Sequence, residues 1–284
     1  MANRREAGGR RPWWRPSRAF WLVSTALATG FCLVWFALIP WPFGLATRNP
    51  EWTSIMEQRV SEAEAAGEPL TLHKEWVPLE QISPNLIRAV IVAEDHRFRE
   101  HSGVDWQAVA EEVRWDGGET FSWLSGRDLA SLARALTYAW QNRADVRGRS
   151  TITQQLAKNL YFGIDRSFLR KGLEFVVARR LERKLTKDRI LELYLNVAEW
   201  GPGIFGAEAA SQAYFGVAAR ELTLGQSAAL AGTLPQPLTS NPSQTPSQMR
   251  RRQTLILDRV APVPEAPPIP EVLPPEISKD LLFP

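Results

Sequence analysis

The chain has 284 residues, 44% hydrophobic and 23% charged, an ordinary globular composition that excludes a wholly disordered protein. Its net charge of +3 is uneven: Arg4, Arg5, Arg10, Arg11, Arg15 and Arg18 face Glu6 alone in residues 1–18, leaving a slightly acidic body that argues against nucleic-acid binding. One cysteine, Cys32, and three scattered histidines, His73, His96 and His101, leave no disulfide framework and no cysteine- or histidine-built zinc site.

Residues 19–43 (AFWLVSTALATGFCLVWFALIPWPF) carry no charge, and about 20 apolar residues suffice for a helix to cross a bilayer. With the arginine-rich tail before it, this run reads as an uncleaved single-pass anchor whose N-terminus is cytoplasmic and whose remaining chain lies outside. It is long for a cleaved signal peptide, and no clear small-residue cleavage site follows it. Residues 44–70 read as a stalk or a short helix. From residue 71 to 258 helical signals dominate. Ser83-Pro84 opens a helix through Leu86, Ile87, Val90 and Ile91 to Glu94. A long tryptophan-bearing connection, 107–147, follows, and Leu129, Leu132, Leu136, Ala139 and Trp140 in its second half have helical spacing. Thr151 with Gln154 forms a capping box for the next helix, and Thr223 with Gln226 forms another, stopped by Pro235 and Pro237. Thr186 caps a helix with Ile190, Leu191, Leu193, Tyr194 and Leu195 on its apolar face. Strand-like alternation is scarce, so the fold class is mostly α. Residues 259–284 form a proline-rich tail.

Two acids stand where a core would take an aliphatic residue. Glu94 shares a helical face with Ile87, Val90 and Ile91 and lies at a helix C-terminus. Burial and the helix dipole both favour its protonated form, which makes it a better proton acceptor. The alternative is a structural ion pair with Arg88, Arg97 or His101. Glu174 shares a stripe with Val177, Ala178 and Leu181, and Arg170 and Lys171 lie close enough to hold it as a satisfied pair. Between them, Thr151, Gln154, Gln155 and Lys158 fall on one helical face and Ile152, Leu156 and Leu160 on the other. Uncharged hydrogen-bonding groups with one cation suit a sugar or a phosphate, and Arg166, Arg170 and Lys171 add positive charge nearby.

The ordered segments EDHRFREHSGVDW, GRSTITQQLAKNLYF and RKGLEFVVARRLERKLTKDRILELYLNVAEWG, followed by GIFGAEAASQAYFG and AALAGTLPQP, closely resemble the motif set of the peptidoglycan glycosyltransferases, in their monofunctional form. The resemblance covers about residues 75–258. It implies a lysozyme-like helical domain with a small membrane-associated jaw within 107–147, preceded by one transmembrane helix. It implies polymerisation of lipid II into β-1,4-linked glycan, with release of undecaprenyl diphosphate at the outer face of the bacterial cytoplasmic membrane. By the same resemblance Glu94 is the base that deprotonates the acceptor hydroxyl, and Glu174 is the second essential acid, near the donor diphosphate. Ser150, Gln155, Lys158, Arg166 and Arg170 correspond to substrate-contacting positions. Asp95, Phe98, His101, Thr151, Gln154 and Asn196 support them. No tightly bound cofactor is implied, although a divalent cation, Mg²⁺ or Mn²⁺, at Glu174 stays open. The implied partners are lipid II, the growing glycan, membrane lipid and other cell-wall synthesis proteins. Two departures stand out: Arg149 replaces the small residue usual before Ser-Thr, and 107–147 is longer than the resemblance leads one to expect.

Overall fold

The computed structural model describes residues 18–68, 70–117, 122, 125–142, 150–163, 168–244 and 246–260. The basic tail up to residue 17, Arg149, Arg166 and the proline-rich residues from 261 onward lie outside the described residues. Helices dominate, as the sequence predicts. In chain order they are α1 (Arg18–Leu38), α2 (Ser54–Ala66), α3 (Pro84–Glu94), α4 (Trp106–Glu112), α5 (Gly126–Gln141), α6 (Ile152–Tyr161), α7 (Phe168–Lys184), α8 (Lys187–Val197), α9 (Ala207–Phe215), α10 (Leu224–Thr233) and α11 (Pro246–Leu257).

The helix starts follow local chemistry. Ser83 accepts from the Asn85 N–H ahead of Pro84, and Thr186 accepts from the Arg189 N–H. Both Thr151/Gln154 and Thr223/Gln226 close reciprocal capping boxes, satisfying N–H groups that a helix start leaves unpaired.

α6 is the central strut, packed on α7, α8 and α2. Its Ile152, Leu156 and Leu160 are buried, and so are Thr153 and Asn159, which flank that stripe. A second layer packs α3 against α10 and α11. Leu86, Val90, Leu156, Val177, Leu181, Leu191 and Trp200 are fully enclosed in one core, each aliphatic side chain contributing about 1.5–3 kcal/mol by leaving water. A small sheet, which the sequence did not signal, joins β1 (His73–Lys74), β2 (Glu199–Gly201) and β3 (Ile204–Phe205) in the order β1-β3-β2, β1 parallel and β2 antiparallel to β3. Strands of two or three residues are too short to display alternation. Gly203 turns β2 into β3 at φ +71°, and a Cβ there would stand 2.6 Å from the Thr71 carbonyl oxygen.

Residues 44–70 do not form a free stalk. Their helix α2 docks on α6, buries Ile55 and Met56 beside Phe205, and sends Arg59 to Glu199. The helical spacing within 107–147 does form a helix, α5. Asp128, Ser131 and Ala135 are buried, whereas Leu129, Leu136 and Trp140 are exposed. α1 holds most of the expected anchor run but ends at Leu38. Among the described residues, which leave out the side chains of Cys32, Trp35 and Leu38, no helix is long and apolar enough to cross a membrane.

Candidate active site

Glu94 closes α3, with Asp95 as the C-terminal cap. The two neighbouring carboxylates point to different tasks. Asp95 is buried and accepts from the Ile152 N–H at 3.0 Å and from His101 Nε2 at 2.9 Å, bolting the end of α3 to the start of α6. Glu94 is half-buried and lines a cleft of about 310 Å³ with His96, Ala108, Glu111 and Glu112. Gln155 Nε2 donates to Glu94 Oε2 at 2.6 Å, and the Tyr194 hydroxyl donates to Gln155 Oε1 at 2.9 Å. The tyrosine thereby fixes which end of the amide faces the acid. Burial, with Glu94 and Asp95 nearby, pushes the Tyr194 phenol well above its ordinary pKa, so it stays a donor. Of the three side chains considered as structural partners of Glu94, Arg97 lies on Asp105 at 3.1 Å and His101 on Asp95.

Glu174 is 2% exposed on α7, in one stripe with the buried Val177, Ala178 and Leu181. Lys171 Nζ donates to its Oε2 at 3.0 Å, and Arg170 Nε stands 3.3 Å from Oε1. Ser150 lies between the two acids' partners. Its carbonyl accepts from Gln155 at 3.2 Å and its hydroxyl accepts from Lys171 at 2.6 Å. A short hydrogen-bonded path therefore runs from Glu94 through Gln155, Ser150 and Lys171 to Glu174. Lys158 reaches the same place from α6. Burial pulls its pKa below the ordinary lysine value, an effect opposed by Glu174, deepened by Arg170 and Lys171, and opposed again by Glu94. Among the described residues no hydrogen bond ties down the Lys158 ammonium, which leaves it available to an anion.

The residues expected to support the site are held in the scaffold around it. Thr151 and Gln154 are consumed by the capping box, and Thr151 Oγ1 also donates to the Gly103 carbonyl at 2.7 Å. Phe98 is fully buried beneath Lys187. Asn196 is fully buried and exchanges hydrogen bonds with the Val77 main chain at 3.0 and 2.9 Å. Two contributions were not read as site chemistry. Tyr194 sat in an apolar stripe, and only its hydroxyl hinted at a polar task. Glu199 lies within electrostatic reach of Lys158 and is clamped by Arg59 at 2.8 and 2.9 Å, a pairing 140 residues apart with no local signal.

A divalent cation does not fit at Glu174, whose oxygens already face Arg170 and Lys171 with Lys158 close by; a further double charge would be repelled. Asp95, His101 and Asp105 bring ligand atoms within 4.8 Å of one another, but the Arg97 guanidinium already sits on Asp105. A larger cleft of about 470 Å³ between α4 and α5 is lined by the Arg134–Asp116 pair and by none of the site residues.

A polarised carboxylate at one end of this path and clustered cations at the other are the parts of a group-transfer site whose leaving group is anionic. Comparison with known proteins gives the family. The Transglycosylase family model matches residues 62–122 and 116–261, in two pieces that meet inside the long connection. Relatives named biosynthetic peptidoglycan transglycosylase include that of Bordetella avium (strain 197N), 37% identical over 88% of this chain and 95% of its own. That of Janthinobacterium sp. (strain Marseille) is 40% identical over 85% and 94%, and that of Aromatoleum aromaticum 41% over 76% and 83%. The chain belongs to the transglycosylase family.

Proposed function

We propose that this chain is a peptidoglycan glycosyltransferase of cell-wall synthesis that polymerises lipid II into β-1,4-linked glycan. In this reading Glu94 takes the proton from the acceptor 4-hydroxyl as that oxygen attacks the donor anomeric carbon. The bond from that carbon to the diphosphate breaks, and undecaprenyl diphosphate leaves with the electron pair. Attack opposite the leaving group inverts an α-linked donor into a β-linked chain. A diphosphate needs charge neutralisation more than protonation, and Lys158, Arg170 and Lys171 supply it, held in place by Glu174. Ser150 and Gln155 position the two halves. The observation that carries the reading is the path joining Glu94 to the Glu174 cations through Gln155, Ser150 and Lys171.

A lytic enzyme is the rival. It requires a general acid at a sugar leaving group, and two basic side chains on Glu174 suit that task poorly.

Residues 71–258 carry the transferase domain in this account, with 107–147 as its jaw. α1 is the anchor in the cytoplasmic membrane, with the transferase outside. Its support is a stretch, 19–38, without a charged residue, on which Leu22, Leu27 and Phe31 are 72, 70 and 68% exposed. The decisive test compares wild type and Glu94→Gln on labelled lipid II. Polymer growth by wild type and a loss of about 10²-fold or more in the variant are expected for removal of a general base. Cleavage of finished glycan without polymer growth would overturn the assignment.

A further inference from the structure

Arg180 lies on α7, six residues beyond Glu174, and only 4% of it is exposed. It is spent on the far end of α1. Nη1 donates to the carbonyls of Ile39 at 2.5 Å and Pro40 at 3.1 Å, and Nη2 donates to that of Phe36 at 2.7 Å. The rings of Phe36 and Trp41 stand 4.3 and 4.0 Å from the guanidinium carbon. A helix C-terminus presents unpaired carbonyls with partial negative charge, and aromatic faces attract cations, so this is a built joint. Arg189 on α8 repeats the device further along, donating to the carbonyls of Leu45 at 2.8 Å and Arg48 at 2.9 Å and to Asn49 Oδ1 at 2.8 Å. The chain leaving α1 is thus fastened to the two helices that carry Glu174 and Tyr194.

Resting on the reading of α1 as the anchor, we infer that Arg180 is a positioning residue that sets the height of the Glu174 cations above the bilayer. A lipid-borne diphosphate lies at the headgroup level. A rigid joint keeps the cations at that level, whereas a loose one lets the domain drift away from it.

The test uses the full chain and Arg180→Gln on labelled lipid II. Both are assayed in detergent and in phosphatidylglycerol–phosphatidylcholine vesicles of several acyl-chain lengths, with folded fractions matched by thermal melting. Wild type should show a clear optimum in bilayer thickness. The variant should lose about tenfold in vesicles, less than about twofold in detergent, and flatten that optimum. Should Arg180→Gln not fold, Trp41→Leu removes one ring from the joint at a partly exposed position and should lose about threefold in vesicles alone. Equal fractional losses in both media, or an unmoved thickness profile, would overturn the joint while polymerisation stands. Wild-type inactivity in both media would overturn the polymerase reading and the joint with it.

Discussion

Gln155 donates to Glu94 at 2.6 Å while its other end accepts from the Tyr194 hydroxyl at 2.9 Å. Reversed, the amide would set its carbonyl against a carboxylate. The amide that meets the proposed base is therefore held in part from α8, a helix that does not contain Glu94.

Tyr194→Phe should expose that control. Leaving the Gln155 carbonyl unsatisfied costs about 1–3 kcal/mol, and the freed amide rotates. The expected result is a fall of about tenfold in kcat with KM little changed, together with a lower melting temperature. Steady-state polymerisation and thermal melting read the two effects, and a changed KM with kcat intact would contradict the positioning role.

Lys158 carries a stability cost along with its proposed charge. Burial holds its pKa below the ordinary 10.5, so between the native value and 10.5 the unfolded chain binds more protons and stability climbs with pH. Below the native value the cost is present in full. Lys158→Met should therefore raise the melting temperature at neutral pH while polymerisation drops by about 10²-fold. Lys158→Arg should restore part of the activity and carry its alkaline limit to higher pH. A melting temperature that falls in Lys158→Met would refute the sign.

Glu199 gives the opposite slope. Burial raises its carboxyl pKa and Arg59 pulls it back, so stability falls as pH rises from the unfolded value through the native one. Arg59→Met leaves the carboxylate buried and unpaired, at a cost of about 3–5 kcal/mol at neutral pH. Protonation relieves this in acid. Urea midpoints should differ from wild type far more at pH 8 than at pH 5, and equal differences would exclude the linkage.

Lys171 separates function from stability. Its side chain is 49% exposed, and exposed ion pairs contribute about 0–1 kcal/mol, so Lys171→Met should melt almost like wild type. It nevertheless holds both Ser150 and Glu174, and its loss should slow polymerisation about tenfold. A wild-type rate in this variant would remove Lys171 from the site.

The parts of this molecule legible in the sequence are those governed by local chemistry. Ser83-Pro84 and the Thr151/Gln154 and Thr223/Gln226 boxes begin helices because their side chains bond N–H groups two or three residues away. Glu94 and Glu174 were visible because helical periodicity alone placed them among aliphatic residues. What stayed hidden depends on distant partners. Nothing near Arg59 announces Glu199, and nothing near Arg180 announces the carbonyls of α1. Thr151 and Gln154 were assigned to a sugar-facing surface because periodicity counts faces, whereas the capping box turns both side chains back on their own helix. α5 was legible as a helix but not in its orientation, since spacing says which residues share a side and not which side faces water.

Adjacent carboxylates with unlike duties leave a genetic signature. Asp95 holds α3 to α6, so a variant there fails by loosening the scaffold, and unrelated stabilising changes elsewhere should suppress the defect. In its proposed role as the base Glu94 offers no such route, because added rigidity cannot replace a missing proton acceptor. Suppressor screens started from these two neighbours should therefore return rich and empty collections, respectively.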